Sequence, residues 1–154
     1  MAIRPLFNIS DAVRKKIANA SIRIDNAIVQ ALKRLGEKCV AVARDSGDYT
    51  DQTGNLRSSI GYLIVLNGSI IERNFISASK DDNGKGIATG TAFAEDLAQK
   101  YSKGYVLIVV AGMSYAAAVE SKSKDVLTSA EKYAEKELPR LLKKLKANIE
   151  KSNL

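Results

Sequence analysis

Apolar residues recur in steps of three and four at Val13, Ile17, Ala20, Ile24, Ile28, Ala31, Leu35, Cys39 and Val42. That spacing traces one face of an α-helix. Ser10 is a good N-cap, and the Asp11 carboxylate suits the positive end of a helix dipole. A helix from there to about Arg44 would be on the order of 50 Å long. A single small domain cannot cover that length, so the stripe must pack on its own sheet or contribute to an oligomer. Cys39 lies on the stripe and is predicted to be core.

The pattern then changes. Ser46-Gly47-Asp48-Tyr49-Thr50-Asp51 is a breaker-rich loop,. Two strand-like runs, Ser58 to Leu66 and Ser69 to Ser77, flank Asn67-Gly68, a pair that favours the positive φ angles of a tight hairpin turn. Residues 79–90 hold three Gly, two Asp and two Lys. They are predicted to form an exposed, flexible loop, a candidate contact arm in an assembly. Thr91 to Tyr101 suits a short helix with Ala92, Phe93, Leu97 and Tyr101 on one side. After Gly104, the continuous apolar run Tyr105 to Ala111 suits a central strand covered on both faces. Tyr115 to Glu120 suits a helical turn and Ser121 to Asp125 a polar link. The last helix opens with Thr128-Ser129-Ala130-Glu131, a capping box. Its apolar positions are Ala130, Tyr133, Ala134, Leu138, Leu141, Leu142, Leu145 and Ile149, and Pro139 is expected to kink it or to restart it as an N1 proline. The expected fold class is α+β: a small, mainly antiparallel sheet packed by a long N-terminal helix and a kinked C-terminal helix. One domain spans residues 1–154, with 1–9 as an N-terminal arm.

Composition narrows the chemistry. The chain has no His and one Cys among 154 residues, which argues against a Ser-His or Cys-His nucleophile, a zinc site and an internal disulfide. Synthesis in a cytoplasm is the default expectation. No run approaches the roughly 18 apolar residues of a membrane span. Asp48 with Asp51, and Asp81 with Asp82, miss the calcium-loop pattern and are expected to be solvated. Gly84-Lys85-Gly86 lacks the upstream Gly and the following Ser or Thr of a phosphate loop, and Lys85 is not expected to open a helix. Glu120 is read as a structural ion-pair partner, with Arg57 the candidate. No catalytic, metal or cofactor site is expected.

The net charge of +7 is uneven: residues 1–44 carry +6, residues 45–130 carry −2 and residues 131–154 carry +3. Arg14, Lys15, Lys16 and Arg23 in the first helix and Lys143, Lys144 and Lys146 in the last are candidate contacts to phosphates or to an acidic partner. No interleaved aromatics offer a stacking platform, and no helix-turn-helix or zinc-finger spacing occurs.

Two segments carry a resemblance. Thr53-Gly54-Asn55-Leu56-Arg57-Ser58-Ser59-Ile60 resembles the "TGxLRxSI" segment of a minor virion-protein family of long-tailed bacteriophages. Gly112-Met113, then Tyr115-Ala116 and Val119-Glu120, resemble its second signature, "YAxxVE", which follows a central strand. Asp125-Val126-Leu127 before a final helix also fits. The resemblance spans roughly residues 10 to 150 in element order, and its motifs cover about 25 positions. It implies a head–tail connector or tail-completion protein of the virion neck, synthesised in a bacterial cytoplasm, a ring of copies without catalysis or cofactor, touching portal-side and tail proteins; a basic lumen lining could also ease the passage of packaged DNA by non-specific contact. Thr53, Gly54, Leu56, Arg57, Ser59, Gly112, Tyr115, Ala116, Val119 and Glu120 are then motif positions. Region 79–103 departs from the family as an elaboration, with Lys80, Asp81, Asp82 and Lys85 as a candidate assembly loop. The alternative is a stand-alone basic nucleic-acid-binding protein.

Overall fold

A computed structural model describes residues 9–46, 54–77, 84–112 and 127–151. Among these residues the element order is α1 (Ile9–Ser46), α2 (Asn55–Ser58), β1 (Ile60–Leu66), β2 (Ser69–Asn74), α3 (Lys85–Ala98), β3 (Tyr105–Ala111) and α4 (Thr128–Lys151). The sheet is antiparallel throughout, in the order β2-β1-β3. The protein is α+β, with the long first helix and the last helix packed on the sheet.

The hairpin forms where Asn67-Gly68 places it. Both residues have positive φ, 49° and 85°, as a two-residue turn matched to strand twist requires. Asn67 also ties this turn to the next strand. Its backbone N–H donates to Gly104 O at 3.0 Å, and its side-chain oxygen accepts from Gly104 N–H at 2.8 Å. The β1–β2 register shifts between Ile64 and Val65. The shift leaves Ile71 as the extra residue of a bulge, 41% exposed,.

The central strand is β1, not the run Tyr105 to Ala111 as expected from its apolar continuity. Six of the seven β1 residues are buried, whereas β3 lies at the sheet edge and is mostly half-buried. An edge strand can still be apolar on both faces when helices lie on both sides, and that holds here. Leu107, Val109 and Ala111 of β3 pack with Ile60, Leu35, Cys39, Ala43 and Ala130. Val106, Ile108 and Val110 pack with Leu63, Val65, Ala94 and Ala98. The result is three layers: α1 and α4 on one face, the sheet, and α3 on the other.

The third layer corrects the reading of residues 79–90. From Lys85 onward this stretch is α3, which opens after Gly84 in a left-handed conformation at φ 79°. Lys85 therefore does open a helix. The buried face of α3 is Gly86, Gly90, Ala94 and Ala98. It is not the face of Ala92, Phe93, Leu97 and Tyr101: Ala92, Phe93 and Tyr101 are exposed and Leu97 is half-buried. Small residues at every fourth position make a smooth strip that lets the helix axis approach the sheet closely. A Cβ on Gly86 would collide with Asn55 O, one on Gly90 with Ser59 O, and one on Gly112 with the Gly90 backbone.

α4 runs from Thr128 to Lys151 with Pro139 inside it and continues as one helix past the proline. The Glu131 N–H donates to Leu127 O at 2.9 Å, so the first turn is anchored one residue before the expected cap, Thr128. Cys39 Sγ donates to Ala130 O at 3.9 Å, and this pins the start of α4 to α1. From there the two helices run antiparallel, because α1 residues before Cys39 line a common seam with α4 residues after Ala130. Leu138 and Leu142, expected on the apolar stripe, are exposed by 39% and 53%. No helix among the described residues is long and apolar enough to cross a membrane.

Candidate functional site

The first motif builds a corner that joins the three layers. Gly54 adopts φ 78°, and Asn55–Ser58 makes one helical turn. The Ser58 N–H donates to Gly54 O and the Ser59 N–H to Asn55 O, both at 2.9 Å. This turn drives Leu56 into the core at 0% exposure, beside Leu35, Cys39 and Ile60. Ser59 is buried too, and its hydroxyl donates to Leu56 O at 2.6 Å. On the other side, the Gly112 N–H donates to Ser59 O at 3.2 Å. Gly112, the first residue of the second motif, thus meets the first motif through the backbone.

Arg57 and Arg44 fasten the corner to the end of α1. Arg57 Nε donates to Arg44 O at 3.3 Å, within the last turn of α1. A cation there also complements the negative end of the helix dipole. The Arg44 guanidinium donates to Ile60 O at 3.2 Å and to Ile76 O, so it bridges β1 and the segment after β2. Arg44 had drawn no attention in the sequence beyond closing the first helix. Its location in the last helical turn, ahead of a breaker-rich loop, was the available signal. Asn55 reaches the other layer: its side-chain oxygen accepts from the Gly86 N–H at 3.3 Å.

The motif residues therefore divide. Gly54, Leu56, Arg57, Ser59 and Gly112 come together in this corner. Thr53, Tyr115, Ala116, Val119 and Glu120 lie outside the described residues, as do Lys80, Asp81 and Asp82. The expected pair of Arg57 with Glu120 falls there as well. Lys85 is exposed at the first turn of α3.

Among the described residues the corner holds no cluster of titratable groups poised for chemistry. Three shifted groups stand elsewhere. Burial raises the Cys39 thiol. Burial also raises Tyr62, whose ring lies across Gly36 on α1; a Cβ on that glycine would sit 2.8 Å from the ring. Tyr105 is pushed up to about 12, first by burial and then by Asp25, whose carboxylate accepts its hydroxyl proton at 2.6 Å. Among the described residues no group of three or more His, Cys, Asp or Glu could hold a metal ion.

Two surface features remain, both on the helical layer. The candidate cations Arg14, Lys15, Lys16, Arg23, Lys143, Lys144 and Lys146 are all exposed. α1 and α4 do not gather them into one group. The first three lie toward the free end of α1, while Lys144 lines the α1–α4 seam. The second feature is apolar. Along α1, Leu35 is 4% and Ala20 9% exposed, but Ile17 and Val13, on the same stripe, are 64% and 49% exposed. About 16 Å of helix thus projects beyond the cover of α4. Between β3, α1 and α4 lies an apolar groove of about 550 Å³, whose lining among the described residues includes Leu32, Val106, Leu127 and Leu138 and a single charged residue, Glu131.

No family model, curated protein or solved structure matches this chain.

Proposed function

We propose that this protein is a structural subunit of a bacteriophage neck, a tail-completion or head–tail joining protein that acts as a ring without catalysis. The resemblance of the two motifs supports this reading, and so does their use of side chains: Leu56, Arg57 and Ser59 serve packing and backbone capping. The observation that carries it is the pair of separate apolar surfaces on the helical layer. One is the uncovered stripe at Val13 and Ile17, where Lys16 is the only charged residue among the described ones that line it. The other is the groove beside β3, where Glu131 is the only charged residue among the described ones. Two separate apolar patches on one subunit favour head-to-tail contacts, which close into a ring when the rotation allows.

Sedimentation velocity at increasing concentration tests the contact. The wild-type protein is expected to form a discrete closed oligomer. Ile17→Asp is expected to sediment as a monomer with an unchanged melting temperature, because the side chain is 64% exposed within the subunit. A wild-type protein that stays monomeric at every concentration, or an Ile17→Asp variant that assembles normally, would overturn the reading.

A further inference from the structure

We infer that the seam between α1 and α4 is a binding site for the phosphate backbone of duplex DNA. The seam is a concave groove of about 430 Å³ lined by four cations, Arg34 and Lys38 from α1 and Arg140 and Lys144 from α4, against one anion, Glu137. All four cations are exposed. Arg140 pairs with Glu137 at 3.3 Å. Among the described residues, Arg34, Lys38 and Lys144 have no carboxylate within salt-bridge distance. The local excess of three positive charges is thus available to a ligand.

The arrangement is periodic. On each helix the two cations are four residues apart, a rise of about 6 Å, so antiparallel packing sets two rails of charge along one groove. The floor is partly apolar: Leu35 is buried, and Leu141 and Leu145 are half-buried. A ligand meets the four cations beside that floor, and their excess over Glu137 favours a polyanion,. Tyr133 is the only aromatic among the described residues that line the seam, and one ring makes no stacking platform for single strands. The contacts are to phosphates and read no base sequence. Arg34, Lys38 and Arg140 were not among the cations singled out in the sequence; folding brings them beside Lys144. Arg14, Lys15 and Lys16 lie about 30 Å from Arg34 along α1, beyond the Debye length at moderate salt.

Fluorescence anisotropy of the full chain with a labelled 20-base-pair duplex, titrated between 50 and 200 mM NaCl, tests the site. Three neutralised phosphates predict a log–log salt slope of about −2.7, a loss of affinity on the order of 40-fold across that range. The variant Arg34→Gln, Lys38→Gln, Arg140→Gln, Lys144→Gln should lose at least about tenfold at 50 mM and flatten the slope toward zero. A control carrying Arg14→Gln, Lys15→Gln and Lys16→Gln lowers the net charge almost as much and should bind like wild type. The milder pair Arg34→Gln and Lys144→Gln should reduce the slope by about two, and it serves if the fourfold variant melts early. No binding at 50 mM salt would overturn the site. So would an equal loss in the control, or tighter binding to single strands than to duplex. The proposal does not depend on the neck reading, since a protein that assembles but binds no DNA would fail only here.

Discussion

Leu56 illustrates how much a single residue decides in this fold. It is fully buried where α1, the α2 turn and the start of β1 meet. Truncating a buried Leu to Ala typically costs roughly 2–5 kcal/mol, and a buried unpaired carboxylate costs more. Leu56→Asp is therefore expected to abolish the cooperative transition in chemical denaturation; a soluble variant that melts like wild type would disprove this placement. Tyr105 offers a pH test at the same scale. Its hydroxyl pKa is pushed up to about 12, by burial first and by Asp25 second, above the usual value near 10. Folding thus favours the protonated form. This contribution to stability is complete below about pH 10 and is lost as pH rises toward about 12. Tyr105→Phe should flatten that part of the stability-versus-pH curve measured by denaturant titration, and an unchanged slope would count against the Asp25 contact. Burial of single residues was partly legible in the sequence. Cys39 fell on a helical stripe of period 3.6 and is 1% exposed. The role of Arg44 was not legible, because its acceptors, Ile60 O and Ile76 O, are remote in sequence.

At the scale of elements, local signals worked wherever they were strong. The long stripe located α1, and Asn67-Gly68 located the hairpin, since both depend on short-range geometry. The loop reading failed over residues 85–90 for a physical reason. Glycine is a poor helix former, so Gly84, Gly86 and Gly90 suggested a loop, yet Gly86, Gly90, Ala94 and Ala98 recur every four residues and form one buried face. Close packing of α3 on the α2 turn and the sheet outweighs the propensity cost. Gly90→Ala tests this account. In an exposed helix the change would add up to about 1 kcal/mol of stability. Here a Cβ would collide with Ser59 O, and overpacking of this kind costs about 1–3 kcal/mol. A lowered melting temperature in calorimetry is expected; a raised one would mean that α3 does not lie so close to the strand. The placement of β3 failed differently. A continuous apolar run shows that both faces are covered but carries no information about which strand is central, and that is settled by pairing with β1.

For the whole molecule, the three layers explain why the helical side is the surface with features left over. The sheet is covered on one face by α3 and on the other by α1 and α4. α1, about 57 Å long by its 38 residues,, outruns both. Its excess length exposes the stripe at Val13 and Ile17, and its antiparallel partner creates the cationic seam. The exposed stripe was legible in part, because a stripe longer than a small domain can cover calls for a second surface. The seam was not, because it depends on how α4 docks. A ring built through the stripe and the groove beside β3 would join two virion parts, and its absence should leave both parts intact but apart. Under the proposed neck role, electron microscopy of phage particles assembled with this gene deleted tests that claim most directly. The account predicts DNA-filled heads beside separate tails, of normal length for a joining or completion role and overlong for a terminating one. Intact, infectious particles would contradict it.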